Sequence, residues 1–266
     1  MPKRNPGKGV KTMPHDAPRR QNWFARGGRS YALYRPDYPP ELPAFLACTS
    51  PGRGVAVDVG CGNGQLTVQL AEHFSKVIGT DPSADQIAHA TSHDRVEYFR
   101  APAERQPVPD QTADLITAAQ AAHWFDMPAF CAEVRRIARS EAVVALIAYG
   151  VLRVHGNEVD RIVQAFYRDV IGPYWPPARR HVENGYRELY FPFRAVATPA
   201  LAIERNWRLP DLLGYVGTWS AVQAAGKAMG RPVIADFHAA MAAAWGGDPD
   251  APRRVTWPLS LRVGRV

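Results

Sequence analysis

Apolar positions follow two rhythms in the first part of this chain. Runs rich in β-branched residues, Val55 to Gly60, Val77 to Asp81, Val96 to Ala101, Asp114 to Ala119 and Ala142 to Tyr149, predict strands. Between them the spacing turns helical. Leu66, Leu70 and Phe74 recur at i, i+4 and i+8 behind Gly64, a further helix start is expected at Ser83, and Phe130, Val134 and Ile137 form one stripe behind Asp126, a suitable N-cap. Strands alternating with helices predict a parallel sheet covered on both faces.

After Gly150 the rhythm changes. A helical stretch is expected from Glu158 to Val170, followed by an aromatic and proline-rich passage through Tyr174, Trp175, Pro176 and Pro177 to Tyr186, Tyr190, Phe191 and Phe193. Prolines remove donors and fix φ, so this passage cannot be regular structure. Residues 151–194 are therefore expected as a cap or lid inserted after the fifth strand. A long strand from Ala195 to Arg208, helices Pro210 to Ala225 and Pro232 to Trp245, and a last strand from Val255 with a bulge or irregular pairing at Pro258 complete the expectation. The predicted fold class is α/β: a Rossmann-like, seven-stranded, mostly parallel sheet with helices on both faces, an antiparallel last strand and that cap.

Composition narrows the setting. Of the 266 residues, 46% are hydrophobic, ample for a buried core. The longest apolar run, Ala142 to Tyr149, is far short of the roughly 20 residues that span a bilayer, and no signal-peptide core is visible, so a cytoplasmic protein without membrane association is expected. Three cysteines, Cys48, Cys61 and Cys131, lack C-x-x-C spacing, which argues against a disulfide framework and against a zinc site; no metal is expected. The net charge is +7, but six basic residues against Asp16 within residues 1–20 carry most of it. Rich in proline and glycine, that stretch is expected to be a disordered basic tail, with residues 21–266 as the folded domain and nucleic acid not expected as a partner.

Candidate chemistry begins at the end of the first strand, where Asp58-Val-Gly-Cys-Gly-Asn-Gly64 places glycines at 60, 62 and 64. Lacking a Cβ, they admit positive φ and close approach of a ligand, while the next helix aims free N–H groups at the site. Asp81 ends the second strand, 17 residues beyond Gly64, where a carboxylate can accept both hydroxyl hydrogens of a ribose. A dinucleotide fingerprint reads Gly-x-Gly-x-x-Gly; here the spacing is Gly-x-Gly-x-Gly, and Asp58 would repel a pyrophosphate. An NAD-dependent oxidoreductase and a non-catalytic binding protein are the alternatives of a different class.

The Gly-rich turn with its preceding acid resembles motif I of the class I S-adenosylmethionine (SAM)-dependent methyltransferases. Over nearly the whole length from Asn22 to Val266 the chain resembles their trans-aconitate methyltransferase-like branch, which acts on small carboxylic acids. Tyr31-Ala-Leu-Tyr-Arg-Pro-Asp-Tyr-Pro39 and Ala118-Ala-Gln-Ala-Ala-His-Trp-Phe-Asp126 carry this narrower likeness. The resemblance implies SAM as cofactor and S-adenosylhomocysteine as product. It implies that Asp58, Gly60, Cys61 and Gly62 line the cofactor, that Asp81 and Pro82 border the ribose, and that Ala103 and Glu104 border the adenine. Ala119 and Gln120 lie at the carboxyl end of the fourth strand, the crevice where open α/β sheets bind ligands.

Two mechanistic options stay open at His123. A phenolic or alcoholic acceptor needs a base, whereas a carboxylate is already anionic and needs only alignment, leaving the imidazole to orient it or to pack. Trp124 offers a hydrophobic wall. Arg35 among Tyr31, Tyr34 and Tyr38 can hold a carboxylate, either the cofactor's or the substrate's. Arg179 and Arg180 beside Tyr174 and Trp175 repeat that combination in the cap. The expected partner is a small acidic molecule with an apolar body, bound to a monomer or homodimer, with O-methylation of a carboxylic acid as the reaction. O- or C-methylation of an aromatic or natural-product acceptor, with His123 as base, is the alternative.

Overall fold

The computed structural model describes residues 36–266; the expected tail and the candidates Tyr31, Tyr34 and Arg35 lie outside the described residues. Helix α1 (Glu41–Thr49) precedes strand β1 (Val55–Val59). Then follow α2 (Gln65–Ala71), β2 (Lys76–Asp81), α3 (Ala84–Ala88), β3 (Val96–Arg100), β4 (Ala113–Ala119), α4 (Met127–Ile137) and β5 (Ala138–Tyr149). The expected helix starts at Ser83 and Asp126 are both present as side-chain caps, accepting from Gln86 and Ala129 N–H respectively.

The sheet runs β3-β2-β1-β4-β5 in parallel, then β9 (Arg253–Arg265) and β6 (Arg153–Val154). As expected, β9 returns antiparallel against β5, pairing Val143 with Arg265 and Tyr149 with Leu259. Two further strands, β7 (Arg194–Ala195) and β8 (Ala202–Trp207), also pair with β9 off that path. Alternation along β5 divides the core. Val143, Ala145 and Ile147 face one layer with α1 and α2, while Val144, Leu146 and Ala148 face the other with Phe130 and Val134 of α4.

Beyond β5, three local expectations change. The expected helix over Glu158 to Val170 is α5 (Asn157–Ala165) followed by a π-helical turn, Phe166–Val170, which turns Phe166 and Tyr167 into the core. The single strand expected from Ala195 to Arg208 is two pieces, because Pro199 lacks the donor a continuous ladder needs. The helix expected from Pro210 to Ala225 breaks between α7 (Leu209–Gly217) and α8 (Ser220–Met229), where Thr218 Oγ1 donates to the Tyr215 carbonyl and Trp219 turns extended. Short α6 (Arg179–Glu183) and final α9 (Ile234–Trp245) complete the order.

The insertion after β5 packs on both layers. Val159, Val163, Phe166 and Tyr167 join the layer that holds α7 to α9, while Val182 and Tyr186 cross to the layer of α4. Among the described residues, no helix is long and apolar enough to cross a membrane.

Candidate functional site

Gly60, Gly62 and Gly64 all take positive φ, 70°, 58° and 89°. A side chain at 60 would strike Ala121, and one at 64 would overlap the Tyr98 hydroxyl, so the turn is clamped on two sides. At Gly62 only Gln86 Oε1, 3.8 Å away, would be met. The side of the turn facing the crevice is thus open. The backbone is hung from β2, with Gly60 and Cys61 N–H both donating to the Thr80 carbonyl.

Asp58 lies beneath that turn, 1% exposed, its two oxygens each accepting a hydroxyl at 2.7 Å, one from Thr67 of α2 and one from Thr117 of β4. Burial pushes its carboxyl above the usual carboxylate range; the threonines pull it back, and the charge of Asp81 adds to the push. Asp81 sits at the tip of β2 and receives N–H from Ser83 at 2.8 Å and from Gly62 at 3.1 Å. Burial raises its pKa too, against those two N–H groups. The Cys61 thiol is pushed up strongly, by burial first and then by both carboxylates. The two carboxylates, one beneath the turn and one beside it, are acceptors that suit hydroxyl donors and disfavour a diphosphate.

The structure places the other expected residues around the ends of β2, β3 and β4. Pro82 follows Asp81, and its carbonyl accepts from Arg100 Nε at 3.1 Å. Ala103 is buried in the α4 layer. Glu104 does not extend free into solvent; its Oε1 accepts from the Asp126 N–H at 2.8 Å and so ties the loop after β3 to the start of α4. Ala119 ends β4. Gln120 takes φ 55° and donates from Nε2 to the Tyr149 carbonyl, locking the end of β4 to that of β5.

His123 lies in a 3-10 turn, Ala122–Trp124, directly after β4. Its Nδ1 is 2.9 Å from the hydroxyl of Tyr186, a fully buried side chain from the cap. Trp124 tilts against the imidazole, ring centres 4.7 Å apart. Burial raises the Tyr186 phenol far above its usual range, opposed by the charge of Arg179 and by the N–H groups of His123 and Ala122. Tyr174 and Trp175 pack against the other layer of the core, and the Trp175 ring lies tilted against those of Tyr167 and Trp219, centres 5.3 Å and 5.9 Å away. Two residues that sequence reasoning missed organise this corner. Tyr186 carried no signal beyond an aromatic cluster, and Arg262 of β9 donates from Nη1 to the carbonyls of Tyr186 and Leu189, both at 2.6 Å, holding the turn that delivers the phenol.

A parallel sheet with an antiparallel return strand, a Gly-rich turn after β1 and an acid ending β2 define the class I methyltransferase fold with its SAM crevice. This chain belongs to the SAM-dependent methyltransferases. The family model described as a methyltransferase domain matches residues 57–146. A relative from Dictyostelium discoideum named as a methyltransferase is 34% identical over 217 residues, 80% of this chain and 82% of its own. A SAM-dependent methyltransferase of Saccharomyces cerevisiae is 30% identical over 45% of this chain and 44% of its own. Among solved structures, a type II methyltransferase from Anaeromyxobacter dehalogenans superposes with a TM-score of 0.83 at 47% identity, covering 87% of this chain and 98% of its own. The chain is an enzyme that uses SAM as methyl donor.

Proposed function

We propose that the acceptor is a small carboxylic acid with an apolar body, methylated on oxygen, as in the trans-aconitate methyltransferase-like branch. The observation that carries this reading is the hydrogen bond of 2.9 Å between His123 Nδ1 and the buried Tyr186 hydroxyl. It engages one ring nitrogen of the imidazole in positioning. Burial raises the Tyr186 phenol above its usual range, which works against its serving as a phenolate base. An acceptor that arrives already ionised needs neither group to take a proton.

Bound SAM would supply a sulfonium methyl to the acceptor oxygen, with the sulfur as leaving group keeping the electron pair of the broken C–S bond. This chain supplies placement. Asp81 and Pro82 would grip the ribose, Ala103 and Glu104 would border the adenine, and Gly60, Cys61, Gly62, Ala119 and Gln120 would surround the amino-acid end, with Asp58 supporting the turn from beneath. His123 orients the acceptor, while Trp124, Tyr174 and Trp175 exclude water from it. Attack of an anion on a cation consumes both charges, so a dry aromatic surround favours the reaction.

The test is product chemistry. Incubated with SAM and a set of small apolar acids, the enzyme is expected to yield methyl esters, which alkali hydrolyses with loss of the added methyl. Alkali-stable ethers or C-methylated products would overturn the reading and restore His123 as a base.

A further inference from the structure

We propose that Arg179 of the cap is the group that receives the acceptor's carboxylate, an assignment that rests on the acidic-acceptor reading above. Its guanidinium is held in place before any ligand arrives. Nε donates to the Tyr167 hydroxyl at 3.0 Å, that hydroxyl donates onward to Glu183 Oε1 at 2.6 Å, and the guanidinium carbon lies 4.8 Å from the Trp175 ring centre and 5.8 Å from that of Tyr167. The two terminal nitrogens form no hydrogen bond to any described residue, and Arg179 has no salt bridge among the described residues, although the side chain is half-buried. Arg136, by contrast, is bonded to both Glu133 and Asp110.

A planar fork oriented through Nε presents its terminal edge to a carboxylate as two parallel donors. A second observation points to the same missing acceptor. The Trp175 Nε1 atom is buried and has no hydrogen-bond partner, although it belongs to the ring that the guanidinium covers. Two unfilled donors on adjoining side chains, one of them charged, ask for an anionic oxygen ligand.

Arg179 opens the short helix α6, which packs against the Ala122–Trp124 turn, and Tyr186 just beyond that helix is bonded to His123 at the end of β4. Methylation would turn the bound anion into a neutral ester and cancel its pairing with the guanidinium. Product release follows from the same contact that selected the substrate.

The experiment uses the full chain loaded with S-adenosylhomocysteine and compares phenylacetate with its methyl ester by calorimetry. Wild-type protein is expected to bind the acid about tenfold more tightly than the ester, and Arg179→Gln to bring that preference below about twofold, with S-adenosylhomocysteine affinity unchanged as the control for folding. Arg179→Lys should retain a part of the preference. If Arg179→Gln keeps the preference for the acid, the assignment to Arg179 fails while the acidic acceptor stands. If the wild type shows no preference for the acid, or binds neither compound, both the assignment and the acidic-acceptor reading fail.

Discussion

Asp58 combines a nearly complete loss of solvent with two threonine hydroxyls, and the balance leaves its carboxyl harder to ionise than in the unfolded chain. A folded pKa raised above the unfolded value means that the native state holds more protons. Stability therefore falls as pH rises from about 4, the ordinary aspartate value, through the raised folded value. Asp58→Asn removes this group's part of that slope, so the melting-temperature gap between wild type and variant should shift against the wild type from pH 4 to pH 8. Calorimetric melting across that range checks it; a gap independent of pH would refute it. Gly64 carries a different kind of constraint. At φ 89° beneath the Tyr98 ring, Gly64→Ala adds backbone strain of about 1–3 kcal/mol and a steric overlap. The expected result is a lower melting temperature and loss of S-adenosylhomocysteine binding in titration.

Among the elements, the loop from β3 to β4 owes its shape to one residue of α4. Arg136 bonds Glu133 and Asp110 and donates to the carbonyls of Gln106 and Val108, while Glu133 accepts from the Gln106 N–H. Gln106 in turn accepts from Thr80 of β2, so the loop carrying Ala103 and Glu104 is braced against the sheet. Arg136→Ala should cost about 1.5–3 kcal/mol and weaken S-adenosylhomocysteine several-fold, read from denaturant melts and calorimetry. The local elements before Gly150 were legible in sequence because their signals are short in range: Asp126 caps the helix that its stripe announces, and strands buried on both faces read as apolar runs. Later elements were less so. Pro199 divides a strand by a missing donor, and the π turn at Phe166 and Tyr167 leaves no periodic trace distinct from a helix.

Across the whole molecule, the insertion after β5 and the return strand meet at the carboxyl end of β4. Arg262 of β9 holds the carbonyls of Tyr186 and Leu189, and Tyr186 reaches from there to His123. Tyr186→Phe leaves the packing in place but frees Nδ1, so kcat is expected to fall by about tenfold with little change in the KM for SAM. Arg262→Ala should act in the same direction and also speed amide exchange near residue 189, measurable by mass spectrometry. An unchanged kcat in Tyr186→Phe would remove the positioning role of the phenol.

By itself the amino-acid order determined the alternation of strands and helices, the turn at residues 60–64 and the acid at residue 81, since each depends on neighbours within a few turns of chain. It did not determine that Asp58 would be spanned by Thr67 and Thr117, that Glu104 would be occupied by a backbone N–H, or that Tyr186 would find His123 from 63 residues away. Those pairings were decided by how distant elements pack: β4 and α2 against β1 for Asp58, the loop after β3 against the start of α4 for Glu104, and the insertion after β5 against the turn after β4 for Tyr186. Burial then required each polar group to find a partner that no local pattern names.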